Sequence, residues 1–155
     1  MLKITDDYLI GFIEGEGSFY VGIVPSRETR IGWQVVYFFK VSQNPSGKVI
    51  LDYLKKRLGC GYIKPNDKND PSDKTLAFVV RDFNDLVKKV IPFLEGRLII
   101  KRKDFEKFKK VLELVGKGEH LTKEGLTKII DLAYSMNSGR RKIPKEKILS
   151  LIHQG

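Results

Sequence analysis

The run from Gly32 to Ser42, GWQVVYFFKVS, constrains the chain more than any other stretch. It is dense in aromatic and β-branched residues, holds no proline and alternates with a period of two, which an extended strand accommodates and a helix does not. Trp33, Val35, Tyr37, Phe39 and Val41 share one side, and Gln34, Val36, Phe38 and Lys40 the other. Ser18 to Val24 repeats the pattern, with Phe19, Val21 and Ile23 opposite Ser18, Tyr20, Gly22 and Val24. The charged turn Pro25 to Arg30 joins the two into a hairpin. A second hairpin pairs Gly61 to Asn66 with Thr75 to Val80 across the polar loop Asp67 to Asp73, and sets Tyr62, Lys64 and Asn66 on one side. Every strand thus has an apolar side and a mixed side. The mixed side is either a solvated sheet face or a readout surface, because Lys, Gln and Asn can bond base edges in a major groove.

Helical periodicity fills the remainder. Thr5 to Glu14 reads as a helix capped by Thr5 or Asp6, with Tyr8, Leu9, Phe12 and Ile13 as its apolar positions. A second helix follows Asn44-Pro45-Ser46-Gly47 and ends near Leu58, with Ile50, Leu51, Leu54 and Leu58 on one face and Gly59 beyond it. Phe83 to Val90 predicts a helix that stops before Pro92. Lys101 to Val115 presents Phe105, Phe108, Leu112 and Val115 to a core, Thr122 opens a helix to Met136, and Pro144 starts a terminal one. The expected fold is α+β: a four-stranded antiparallel sheet backed by helices, with further C-terminal helices, in a single domain over residues 1–155.

Charge narrows the partners. Among 155 residues, 29 Lys and Arg oppose 19 Asp and Glu, a net charge of +10 that makes a polyanion the first partner to consider. Nucleic acid, an anionic membrane surface, or no polyanion at all are each compatible with it. An apolar content of 41% supplies a core and excludes global disorder. The lone Cys60 excludes an intramolecular disulfide and a cysteine-rich zinc site, and no apolar run is long enough to span a membrane. With no secretory signal visible, the expectation is a soluble basic protein of a reducing compartment.

Gly11 and Gly15 lie four apart on the first helix, so another backbone can approach that face closely. Glu16 follows at the helix C-terminus, where the dipole is negative and a carboxylate is poorly placed. An acid held there points to a bound cation, and a hard ion such as Mg²⁺ would take carboxylate, water and phosphate oxygens.

The stretch Leu9-Ile10-Gly11-Phe12-Ile13-Glu14-Gly15-Glu16-Gly17 resembles the LAGLIDADG motif of homing endonucleases, with Glu at both acidic positions. Val41-Ser42-Gln43, Leu58-Gly59-Cys60-Gly61-Tyr62-Ile63, Ile91-Pro92-Phe93-Leu94, Lys101-Arg102-Lys103 and Met136-Asn137-Ser138-Gly139-Arg140 also fit, so the resemblance covers nearly the whole chain. The motif occurs once, which resembles the single-motif branch. The resemblance implies an αββαββα saddle working as a homodimer, with Leu9, Gly11, Phe12 and Gly15 at the interface. It further implies metal-dependent cleavage of double-stranded DNA at a long pseudo-palindromic site, in intron homing. Mg²⁺ would be the cofactor, with Mn²⁺ substituting and Ca²⁺ binding without cleavage; no membrane and no small-molecule cofactor are expected. A family alternative is an RNA-binding intron maturase. Its members occur in chloroplasts, mitochondria and prokaryotes.

Carried over residue by residue, Glu16 is the metal ligand with the Gly15 carbonyl assisting, Gln43 orders water, and Lys101 stabilises developing charge, with Arg97 as its alternative. Some members place an arginine where this chain has Gly47, next to Lys48. DNA contacts map to Tyr20, Gly22, Val24, Ser26, Arg27, Glu28, Arg30, Gln34, Val36, Phe38, Lys40, Lys48, Tyr62, Lys64, Asn66 and Lys74. Ser138, Arg140, Arg141 and Lys142 match a phosphate-holding loop.

Overall fold

The computed structural model describes residues 3–136 and 141–154. Its elements run α1 (Asp6–Glu16), β1 (Gly17–Pro25), β2 (Trp33–Gln43), a 3₁₀ turn (Pro45–Gly47), α2 (Lys48–Leu58), β3 (Tyr62–Pro65), β4 (Leu76–Val80), α3 (Phe83–Asp85), α4 (Ile91–Leu94), α5 (Arg102–Gly116), a second 3₁₀ turn (Glu119–Leu121), α6 (Lys123–Tyr134) and α7 (Lys145–Gln154). The four strands form one sheet, as expected for the α+β class, in the order β1-β2-β4-β3. The chain clusters into two compact units, Met1–Phe19 with Phe38–Arg102 and Tyr20–Tyr37 with Lys103–Gly155, so β1 and β2 each contribute residues to both.

In the first unit the registers of β2, β4 and β3 set the two faces. Phe39 lies opposite Val80, and Val41 opposite Phe78, which in turn faces Ile63. That side is the core. The Phe39 ring sits 5.4 Å from Phe19 and 6.5 Å from Phe78, the second contact edge-on, and all three are buried. Leu51, Leu54 and Leu58 bury one face of α2, which packs against β4, and Gly59 ends the helix at φ 69°, where a side chain would be strained. Burying a leucine contributes roughly 2 kcal/mol, so this stripe contributes roughly 6 kcal/mol toward holding α2 on the sheet.

The helix after β4 differs from expectation. It does not stop before Pro92: a π-helical turn, Leu86–Val90, joins α3 to α4. The Ile91 N–H donates to the Leu86 carbonyl five residues back. This widened turn accommodates the proline ring and its missing donor without ending the helix.

In the second unit α5 buries Phe105, Phe108, Val111, Leu112 and Leu114. Val115, expected on that stripe, is only half-buried, and Val111 and Leu114 complete the face. The Thr122 hydroxyl accepts from the Gly125 N–H to cap α6, which packs against α7. The tip of the first hairpin is closed by the Ser26 N–H donating to the Gly32 carbonyl at 2.9 Å, with Gly32 at φ 82°. Among the described residues, no helix is long and apolar enough to cross a membrane.

Candidate active site and nucleic-acid face

Helix α1 delivers the acidic residues. The Thr5 hydroxyl accepts from the Tyr8 N–H, and Asp6 and Asp7 occupy the first turn, where the dipole favours them. Leu9, Ile10 and Ile13 bury one face. At the far end Glu16 is the last helical residue; it is exposed and has no ion pair among the described residues. The Gly17 N–H returns to the Ile13 carbonyl, which leaves the Gly15 carbonyl among those without an intrahelical donor. Gly15 is exposed, with no atom within 4 Å of where a Cβ would stand.

These groups fit a hard cation. Both offer oxygen at an open helix end. Among the described residues no three His, Cys, Asp or Glu side chains converge, so one chain does not build a full protein cage for a metal. An ion that keeps its waters and takes phosphate oxygens suits such a sparse donor set.

Lys101 comes close to this end of α1 through the backbone. The Glu14 carboxylate, two residues before Glu16, accepts from the Ile99, Ile100 and Lys101 N–H groups, the last at 3.0 Å. The alternative, Arg97, lies elsewhere: it pairs with Asp6 at 3.6 Å, in the first turn of α1, and stacks over Phe93 at 5.3 Å. An eleven-residue helix separates those two ends by roughly 15 Å.

Gln43 is the last residue of β2, the interior strand beside β1, and β1 begins just after Glu16. Its carboxamide oxygen accepts from the Asn44 N–H at 2.7 Å, which leaves its amide nitrogen to serve as a donor. Gly47, where the resemblance places an arginine, packs directly against this side chain. A Cβ there would stand 2.1 Å from Gln43 Cγ, so any side chain at 47 would evict Gln43. Lys48 forms an i,i+4 pair with Asp52 at 3.0 Å.

The mixed side of the sheet is tied together in rows. Lys40, Val79 and Tyr62 are neighbours across the first unit, as are Ser42, Ala77 and Lys64. Lys40 Nζ donates to Asn66 Oδ1 at 3.0 Å, which holds two polar side chains in place. Arg81, absent from the sequence-based set, belongs to this side. Its Nε donates to the Tyr62 hydroxyl at 2.9 Å, and its guanidinium lies 4.6 Å from the centroid of the Phe38 ring. Strand parity with Val79 is the signal that could have found it. Lys74 is exposed in the loop before β4. In the second unit Tyr20, Val24, Arg27, Glu28, Arg30 and Gln34 are exposed, and Ser26 and Val36 half-buried.

Three of the expected contact residues are engaged within their own chain. Leu9 is 1% exposed, buried within its own chain, whereas Gly11 is exposed and Phe12 half-buried. Gly22 is buried, and a Cβ would stand 2.6 Å from the Tyr20 hydroxyl: the tyrosine folds over it. Arg141 is half-buried and donates to the Val21 and Ala133 carbonyls while stacking on Tyr20 and Tyr134, so two of its five N–H donors and its stacking surface are engaged inside the second unit. Lys142 is exposed; Ser138 and Arg140 lie outside the described residues.

Comparison with known proteins identifies relatives of this fold and sequence. Residues 9–112 match the model of the LAGLIDADG endonucleases. A probable intron-encoded endonuclease 2 of Neurospora crassa is 32% identical over 153 residues, 96% of this chain and 33% of its own length, so the chain spans about a third of that relative. The solved structure of the homing endonuclease I-TnaI is similar over 99% of both chains, at 34% identity and a TM-score of 0.83. The archaeal intron-encoded homing endonuclease I-Vdi141I, solved in complex with DNA, is similar over 96% of this chain and 94% of its own, at 33% identity and a TM-score of 0.85. With the motif at the end of α1, the strand order and these likenesses all in agreement, the chain belongs to the LAGLIDADG endonuclease family.

Proposed function

We propose that the domain spanning residues 1–155 is a site-specific double-strand DNA endonuclease that works as a homodimer with Mg²⁺. The observation that carries this reading is Glu16: an exposed carboxylate with no ion pair among the described residues, at the end of the helix whose Glu14 holds the Lys101 turn. Glu16 and the Gly15 carbonyl would hold the metal, which when bound would supply Lewis-acid polarisation of a phosphate and a more acidic water. Because one chain brings one such carboxylate, two chains are required to present two. The exposed Gly11 and Gly15 and the half-buried Phe12 on α1 are the face on which they would meet. Lys101 contributes positive charge against the phosphate in the transition state, and Gln43 donates its amide hydrogens to the attacking water.

Binding would use each unit's share of the mixed sheet side. Gln34, Lys40, Tyr62, Lys64, Asn66 and Arg81 are the readers, and Arg27, Arg30, Lys48, Lys74 and Lys142 serve the phosphates. A dimer carries twice the net charge of +10, so affinity falls steeply with salt.

One observation favours RNA binding as a second reading. A cavity of about 350 Å³ in the first unit is lined by Arg57, Lys88, Lys89 and Arg97 around Phe93. Asp6 neutralises part of that charge, which makes this the weaker reading.

The test is cleavage of a randomised double-stranded DNA library in Mg²⁺, with Glu16→Gln as control. Enrichment of one pseudo-palindromic cut site by the wild type alone is the expected result. Binding of DNA with no cleavage by either protein, or selective retention of intron RNA, overturns the nuclease reading.

A further inference from the structure

Both acidic positions of the motif hold glutamate, yet the two side chains have opposite environments. Residues 14 and 16 are 200° apart on an ideal helix, so one faces inward when the other faces out. Glu16 is exposed; Glu14 is half-buried and fully engaged. Oε1 and Oε2 together accept from three consecutive backbone N–H groups, those of Ile99, Ile100 and Lys101, the last two through Oε2 at 3.1 and 3.0 Å.

Those donors need a partner from outside their own segment. They immediately precede α5, which begins at Arg102, and the first N–H groups of a helix have no intrahelical acceptor. The lead-in Leu98-Ile99-Ile100-Lys101 contains no Ser, Thr, Asp or Asn to supply a local cap. A carboxylate more than 80 positions earlier in the chain does so instead. With the backbone turned inward to Glu14, the side chains of Ile99 and Ile100 stand 85% and 81% exposed. Leu98, 5% exposed, anchors the start of this turn by packing, but Ile99 and Ile100 do not, and their backbone is held by the carboxylate.

We propose that Glu14 is a positioning residue: it fixes the turn carrying Lys101, and thereby sets the lysine relative to Glu16, two residues away on the same helix end. This rests on the nuclease reading and adds a role for the motif's other acid. A lysine side chain has four rotatable carbons, so its reach is useful only if its Cα is held still. An error of about 1 Å in such a group costs up to roughly a hundredfold in rate.

The test is a double-mutant cycle on the cut site recovered from the library, read as single-turnover cleavage and separately as DNA affinity in Ca²⁺. Glu14→Gln keeps the size of the side chain but turns one acceptor into a donor facing the amides. The expected result is roughly tenfold slower cleavage with affinity unchanged, and no further loss when Glu14→Gln is added to Lys101→Ala. Glu14→Asp, which retains the charge, should recover part of the rate. A second readout is hydrogen exchange of the 99–101 amides, which should accelerate in Glu14→Gln while β4 keeps its protection.

Equal losses with and without Lys101, an unchanged rate, or unchanged exchange at 99–101 each overturn the proposal and leave the role of Glu16 standing. A wild-type protein that binds but never cuts overturns the nuclease reading and the positioning role together. If Glu14→Gln does not fold, the exchange comparison is made with Glu14→Asp, whose shorter reach should still loosen the same three amides; equal protection there overturns the proposal.

Discussion

The two ends of α1 are both acidic, and they are used in opposite ways. At the N-terminal end Asp6 is closed off: its carboxylate takes a two-point contact from Arg57 at 2.8 and 2.9 Å and a third from Arg97, and both guanidinium groups lie over the Phe93 ring. At the C-terminal end Glu14 is equally committed, but Glu16 beside it is left open. An acid with satisfied partners stabilises the fold. An acid held against the helix dipole without a partner retains its capacity to bind something else. The basic pair Arg141 and Lys142 repeats the contrast in the second unit, one locked between two carbonyls and two rings, the other exposed.

The contrast can be broken by substitutions at its open and closed members. Glu16→Gln has the largest expected effect: cleavage falls by at least about a hundredfold, while the melting temperature and DNA affinity stay put. A drop in melting temperature would show that Glu16 has a structural partner after all. Arg141→Ala should destabilise by roughly 2–3 kcal/mol in urea titration, since two charge-assisted bonds to buried carbonyls and two stacking contacts are lost. Lys142→Ala should cost less than about 0.5 kcal/mol, so equal losses would erase the distinction between them. Gly47→Ala sharpens the site itself. Its Cβ displaces Gln43, and cleavage should slow by roughly tenfold with little change in affinity.

Asp6→Asn is the smallest perturbation, and it is visible in the pH dependence. Arg57 holds the Asp6 carboxyl below its ordinary value of 3.8. The unfolded chain therefore binds the proton more readily, so this contribution to stability is present above pH 3.8 and disappears as pH falls through the folded value. Asp6→Asn should lower the melting temperature slightly at neutral pH and converge with the wild type in acid. Because the pair is exposed, concentrated salt should shrink the difference. A difference that grows in acid would contradict this assignment.

Much of the fold was legible because it is local. Strand parity in Trp33–Gln43 separates Phe39 and Val41 from Lys40, the Thr5 and Thr122 caps sit where side-chain chemistry puts them, and Gly59 ends α2. Pro92 was misleading because the local rule treats proline as a stop, whereas a π turn upstream removes the clash. Leu9 illustrates another limit: an apolar residue in an amphipathic helix can face its own core or a partner, and periodicity alone does not distinguish the two.

The sequence by itself determined the α+β architecture, the motif helix with Glu16 at its end, and the apolar and mixed sides of each strand. Those follow from periodicities of 3.6 and 2 and from capping chemistry, all within a few residues. Only the tertiary structure decided which charged groups are already spoken for. Glu14 reaches Lys101, Arg141 reaches Val21, Arg57 reaches Asp6, and Arg81 joins Phe38 and Tyr62, with every partner far away in the chain except the neighbours across one sheet. A carboxylate or guanidinium looks the same in a sequence whether bound or free. The difference lies in which donors and acceptors the packed backbone brings within about 3 Å of it.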